Sequence, residues 1–270
     1  MPDLAAILDD LQKEHRALDA LVAPLTQSMW DSSTPAEGWS IQDQIGHLAF
    51  FDEQATMAMN DPDGFATNLQ TIAQDIGAFM DRSIARGREL DGEGVLDWWR
   101  TARNEMLLGG RSIDPSARVP WYGPPMSPAS FVSARQMETW AHGQDVADAL
   151  AVERHNTGRI FNIAHIGVLS RKHSYANRGL PIPDEPVLVR LTSPEGETRT
   201  WGEGAESITG SAVDFCLVVT QRRHPDDTQL EISGAFAREW MSIAQAYAGP
   251  PGPGRKPGQF QAIDGEGIGR

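Results

Sequence analysis

The chain has 270 residues, 40% hydrophobic and 22% charged, with a formal charge of −14 and one cysteine. That length accommodates one large core or two modest ones, and the composition is that of a globular protein with no apolar run of the roughly 18 residues a membrane-crossing helix needs. The acidic balance disfavours phosphate backbones, because the short basic clusters Arg222-Arg223-His224 and Arg255-Lys256 make no continuous stripe. A lone Cys216 makes no intrachain disulfide, and the N-terminal residues carry neither a signal nor a transit pattern. Together these predict a cytoplasmic protein acting on a small molecule, with no nucleic-acid and no membrane partner.

In chain order, Leu4, Ile7, Leu8, Leu11, Leu18, Leu21 and Leu25 form a helical stripe. A loop over Asp31–Gly38 precedes a second helix, Ile41 to about Met59, opened by Ser40 as N-cap and stopped by Asp-Pro-Asp-Gly at 61–64. Further helices are predicted over about Phe65–Ala85 and Val95–Leu108, the latter carrying Trp98 and Trp99 to a core. A proline-stiffened loop, Val119–Met126, leads through Ser127-Pro128 into a helix over Ala129–Ala151, and another runs over Arg159–Asn177. The pattern then changes to strands at Val187–Thr192, Glu197–Trp201 and Gln229–Ser233, with helices at Ser211–Gln221 and Ala235–Ala248. The expected fold is α+β: a helical bundle over 1–178, a small α+β domain over 179–248 and a Pro/Gly-rich tail over 249–270.

The chemistry concentrates in two helices. Glu138 and His142, four apart in Arg135-Gln-Met-Glu138-Thr-Trp-Ala-His142, share a helix face and offer two metal ligands; His47, two turns into the Ser40-capped helix, is the best supplier of a third. Spacing alone is equally satisfied by an ordinary i,i+4 pair or a buried hydrogen-bonded network. The setting argues further, since Trp140, Met137, Trp39 and Phe50 are apolar company for groups that are rarely buried unless paired or coordinating. Asp43 and Asp145 fit either as imidazole-orienting acceptors or, more simply, as capping and surface charges. His165 is expected in the core rather than as a fourth ligand, Cys216 as an inert buried thiol, and His15, His155, His173 and His224 as solvent-facing or structural. Arg222 and Arg223 follow an apolar helix, where they suit the helix dipole and a carboxylate clamp alike. No nucleophile-elbow, phosphate-loop or Cys-x-x-Cys motif occurs.

Trp39-Ser-x-x-Asp43-x-x-x-His47-Leu48 together with Glu138-x-x-x-His142-x-x-Asp145 resembles the metal-binding domain of mycothiol-dependent maleylpyruvate isomerases, one of the DinB-like four-helix bundles. The likeness spans roughly residues 5–175. It implies a divalent metal, usually zinc, held by His47, Glu138 and His142, and a low-molecular-weight thiol such as mycothiol as co-reactant. The segments Gly210–Arg222 and Ala237–Gly254 resemble a domain catalogued under a wyosine-formation name and also the isomerases' own C-terminal domain, in which an arginine at the place of Arg222 contacts the acidic substrate. Gln221 and Arg223 depart from that pattern. The resemblance implies an isomerase or S-transferase acting on a small electrophile; a thiol-independent hydrolase, an oxygen-using iron site and a non-catalytic metal protein are the rival readings of the same ligands.

Overall fold

Four side chains accept a hydrogen bond from a backbone N–H in the first turn of a long helix: Asp3 from Ala5, Ser40 from Asp43, Asp91 from Gly94 and Ser127 from Ser130. Each satisfies a donor that the helix start leaves open. At Ser40 the exchange is reciprocal, because the Asp43 carboxylate accepts from the Ser40 N–H at 3.0 Å. The computed structural model describes residues 3–72 and 76–260. Within them the helices are α1 (Leu4–Val22), α2 (Gln27–Trp30), α3 (Ile41–Asn60), α4 (Pro62–Ile72), α5 (Ile76–Arg88), α6 (Gly92–Ser112), α7 (Pro128–Leu150), α8 (Ile160–Leu169), α9 (Arg171–Ala176), α10 (Ala212–Val219) and α11 (Ala235–Ile243), and the strands are β1 (Val187–Thr192), β2 (Thr198–Trp201), β3 (Glu206–Ser211) and β4 (Glu231–Ser233). The fold is α+β.

The chain divides into two compact units, 1–155 and 156–270. In the first, α3 packs against α6, α5 and α7, and α1 against α7 and α6, giving a four-helix bundle of α1, α3, α6 and α7. Two apolar clusters fill it, one around Leu18, Trp30, Ile45, Trp99 and Val146, the other around Leu8, Leu11, Phe65, Met106 and Phe131. Each large side chain so buried contributes about 1.5–3 kcal/mol. Gly46 and Gly87 let α3 and α5 meet backbone to backbone, since a Cβ at Gly46 would stand 3.2 Å from the Gly87 Cα.

In the second unit a four-stranded sheet has the order β2-β1-β3-β4. β1 runs antiparallel to β2 and parallel to β3, which is antiparallel to β4. Gly196, at φ +87°, closes the predicted β1–β2 hairpin by donating to the Ser193 carbonyl. α10 packs against α8, β3 and β1, and α11 against α9, β3 and β4.

Three sequence expectations differ from this arrangement. The boundary predicted at residue 178 lies at 155, because α8 closes on α10 at Gly167, where a Cβ would stand 2.9 Å from Phe215. The helix predicted over 159–177 is two, divided at Ser170, whose hydroxyl donates to the Gly167 carbonyl. The helix predicted over 65–85 begins earlier, at Pro62, as α4 and resumes as α5, with the join, 73–75, outside the described residues. The last ten residues of the predicted tail, 261–270, lie outside them as well.

Candidate metal centre

His47 lies in the second turn of α3 and Glu138 and His142 one turn apart on α7. These elements bring the three side chains together, with one donor atom of each within 4.8 Å of the others. His142 Nε2 stands 3.4 Å from Glu138 Oε2. Two ligands on a tetrahedral zinc ion with bonds of about 2.1 Å are separated by roughly 3.4 Å, so this pair already has the spacing of ligands. The imidazoles of His47 and His142 have centroids 4.7 Å apart. His142 is buried, while His47 and Glu138 are half-buried.

A chain of hydrogen bonds determines which nitrogen of His142 carries its proton. The Thr34 hydroxyl donates to the Trp39 carbonyl at 2.9 Å, so it receives the Gln44 side-chain amide, also at 2.9 Å. That orientation turns Gln44 Oε1 toward His142 Nδ1, 2.5 Å away, and an amide oxygen only accepts. His142 therefore carries its proton on Nδ1 and presents the Nε2 lone pair beside Glu138. His47 Nδ1 contacts the Ser83 hydroxyl at 3.2 Å. Ser83 is positioned by the Gly46–Gly87 approach, being one turn before Gly87 just as His47 directly follows Gly46. An outer partner on one ring nitrogen, leaving the other for a metal, is how ligating histidines are oriented. The donor set of two imidazoles and a carboxylate fits a divalent ion such as zinc.

Trp39 walls the site, with its ring 6.0 Å from His142 in a stacked arrangement and 5.0 Å from His47 edge-on. Phe51 lies 4.5 Å from the His47 ring.

The chain matches the family model described as the mycothiol maleylpyruvate isomerase N-terminal domain over residues 11–147. The chain belongs to that family. The matched span contains His47, Glu138 and His142, and it ends before the second unit. Two proteins of Mycobacterium tuberculosis, from strains CDC 1551 / Oshkosh and H37Rv and both described as uncharacterized, are 43% identical over 257 residues, covering 94% of this chain and 100% of theirs. Among solved structures, the mycothiol-dependent maleylpyruvate isomerase and a histidine-to-alanine mutant of it share the fold at a TM-score of 0.57, with 14% and 13% identity, over 86% of this chain and 95% of theirs.

The remaining expected residues fall as follows. Asp43 is a capping residue in a bidentate pair with Arg88, at 2.7 and 2.9 Å, rather than an imidazole partner; burial pushes its carboxyl up, and the Arg88 guanidinium and Ser40 together outweigh that and hold it below the usual carboxylate range. Gln44 and Ser83 take the orienting role. Neither is visible in the sequence, since Gln44 reaches His142 only where α3 packs on α7 and Ser83 reaches His47 only where α5 packs on α3. Asp145 is buried. His165 is half-buried and accepts from the Trp201 indole at 3.1 Å, with its pKa lowered by burial. Cys216 is fully buried, and burial pushes its thiol pKa well up, as an inert cysteine requires. Arg222 lies in the second unit, just past α10, where its Nη1 donates to the Thr220 carbonyl at 2.7 Å. Among the described residues no helix is long and apolar enough to cross a membrane.

Proposed function

We propose that the protein is a metal-dependent enzyme of the thiol-using isomerase or S-transferase type, acting on a small electrophilic, acidic substrate with a low-molecular-weight thiol such as mycothiol. The observation that carries this reading is the convergence of His47, Glu138 and His142 within 4.8 Å, inside the span matching the isomerase domain family. A divalent ion held there, zinc on the pattern of the family, would supply the Lewis acidity that keeps a thiol deprotonated near neutral pH. The rest is the work of the chain's own groups. Gln44 accepts the Nδ1–H of His142 and leaves its Nε2 lone pair directed at the site, and the Ser83 hydroxyl contacts Nδ1 of His47. One carboxylate against a divalent charge leaves the site net positive, which favours an anionic sulfur. Trp39 and Phe51 exclude water around the imidazoles and offer an apolar wall to the substrate's carbon skeleton. Arg222, whose guanidinium is anchored on the α10 C-terminus, is the group proposed to orient the substrate carboxylate by paired hydrogen bonds.

The test is elemental analysis of the wild type and His142→Ala, followed by titration with mycothiol and turnover assays with and without it. About one divalent ion per chain, lost in the variant, with mycothiol binding only to the metal-loaded protein, is the expected result. Full metal content in His142→Ala would refute the ligand set. Turnover of esters or amides without thiol would make the protein a hydrolase.

A further inference from the structure

The second unit contains a cleft of about 270 Å³ between the end of α10, the end of α11 and the Pro/Gly-rich strap. Arg178, Arg223, Arg255, Lys256 and His224 line it, and among the described residues no carboxylate does. In a chain with 37 acidic and 23 basic residues, four arginine and lysine side chains around one small cavity are a strong local reversal of sign. The neighbouring acids serve other partners: Asp226 pairs with His224 at 3.4 Å, and Asp227 Oδ1 accepts from the Gly258 N–H at 2.7 Å.

The cleft is built by the strap, and the strap is pinned. Asn177 donates to the Gly249 carbonyl and Arg178 Nη2 to the Gly252 carbonyl, both at 3.0 Å, while the Gln245 amide reaches the carbonyls of Tyr247, Gly249 and Pro250. Gln221, in the left-handed region at φ +59°, accepts from the Tyr247 hydroxyl and donates to the Ala244 carbonyl. Such strain in a non-glycine residue persists only where its surroundings hold it. The guanidinium of Arg223 lies over the Phe260 ring at 4.3 Å, and that of Arg255 approaches the same ring at 5.8 Å, so one aromatic side chain gathers two like charges. Arg178 Nη1 is buried and has no hydrogen-bond acceptor among the described residues. A buried guanidinium donor without an acceptor is costly unless a ligand supplies one.

We propose that this cleft binds a small phosphoryl-bearing anion, a ligand class separate from the thiol and the carboxylate substrate proposed above. The charge decides the class. A phosphate monoester carries about −1.5 to −2 near neutral pH and offers three acceptor oxygens, enough to engage several guanidinium forks, where a single carboxylate engages one. The volume suits a small molecule, and the acidic remainder of the chain repels a polynucleotide. These bonds hold the strap in place before a ligand arrives, so binding does not have to fold it.

The test is calorimetric titration of the full-length protein with inorganic pyrophosphate as probe and succinate as dicarboxylate control, at about 50 mM salt. One pyrophosphate per chain is expected, with affinity falling as salt rises and weakened at least ~10-fold in Lys256→Ala and in Arg223→Ala, and with succinate at least ~10-fold weaker. Lys256 is exposed on the strap, so its replacement leaves folding intact. Pyrophosphate captured by a metal at His47, Glu138 and His142 would persist in both variants, so unchanged binding overturns the proposal. No binding in the wild type, or succinate equal to pyrophosphate, overturns it too.

Discussion

At Asp52 and Arg135 the helices α3 and α7 meet through a fully buried ion pair, whereas further along, at His47, Glu138 and His142, the same helices meet through groups that mostly offer lone pairs. The register is antiparallel: Asp52 faces Arg135, and Gln44 faces His142. At the first level charge is matched by charge within the chain. Arg135 donates to Asp52 Oδ1 through Nε and Nη2 at 3.1 and 2.9 Å, and burial raises the Asp52 pKa against the opposing pull of that guanidinium. At the second level a carboxylate and two imidazoles converge, with no arginine or lysine among the three. One level has its positive charge from the chain itself, and the other is shaped for a cation from outside.

The sharpest way to break this contrast is to remove half of the ion-pair level. Asp52→Ala leaves Arg135 as a buried charge without its counterion and is expected to destabilise the bundle by about 3–5 kcal/mol, measured by urea unfolding of metal-free protein. The matched double change Asp52→Leu with Arg135→Met, which removes both charges, should recover most of that loss. Equal destabilisation by the double change would show that packing rather than charge pairing dominates there.

A smaller effect is expected where the partner is neutral. Gln44→Leu removes the acceptor that holds the His142 tautomer and leaves all three ligands in place, so metal affinity should fall by about 10–100-fold with the helical content unchanged. Metal competition against a chromogenic chelator measures it. Wild-type affinity in that variant would mean that His142 is oriented by its packing under Trp39 alone.

Much of the first unit was legible because its signals are local. Asp3, Ser40, Asp91 and Ser127 mark helix starts, and i,i+4 spacing alone puts Glu138 and His142 on one face. What escaped the sequence depends on groups distant in the chain. Strand β3, Glu-Ser-Ile-Thr-Gly-Ser, has a single buried apolar residue, Ile208, and becomes a strand because β1 and β4 flank it. Ser83 reaches His47 only through the close passage of Gly46 past Gly87. The unit boundary was misplaced because α8 looks like one more bundle helix until Gly167 is seen against Phe215 and Val219.

A third imidazole extends the comparison. His15 on α1 is buried beside Trp99, with ring centroids 5.8 Å apart, and neither of its nitrogens has a hydrogen-bond partner among the described residues. Burial first, then the positive charges of Arg103 and Arg135, hold its pKa well below the usual histidine range. Where His47 and His142 are oriented by Ser83 and Gln44, His15 serves as an apolar ring. The folded protein keeps it neutral, while in the unfolded chain it takes up a proton below about pH 6.5. The unfolded state then binds more protons, so stability contributed at this position is full above that pH and declines as the pH falls through it. His15→Leu should therefore flatten the acid limb of the stability profile between about pH 6.5 and pH 5, by up to ~1.4 kcal/mol per pH unit. Urea unfolding of chelator-treated wild type and variant at each pH isolates the effect from loss of metal, since His47 and His142 are common to both. Parallel profiles would show that His15 is protonated inside the fold, and that the ion-pair level of the bundle accepts a further charge after all.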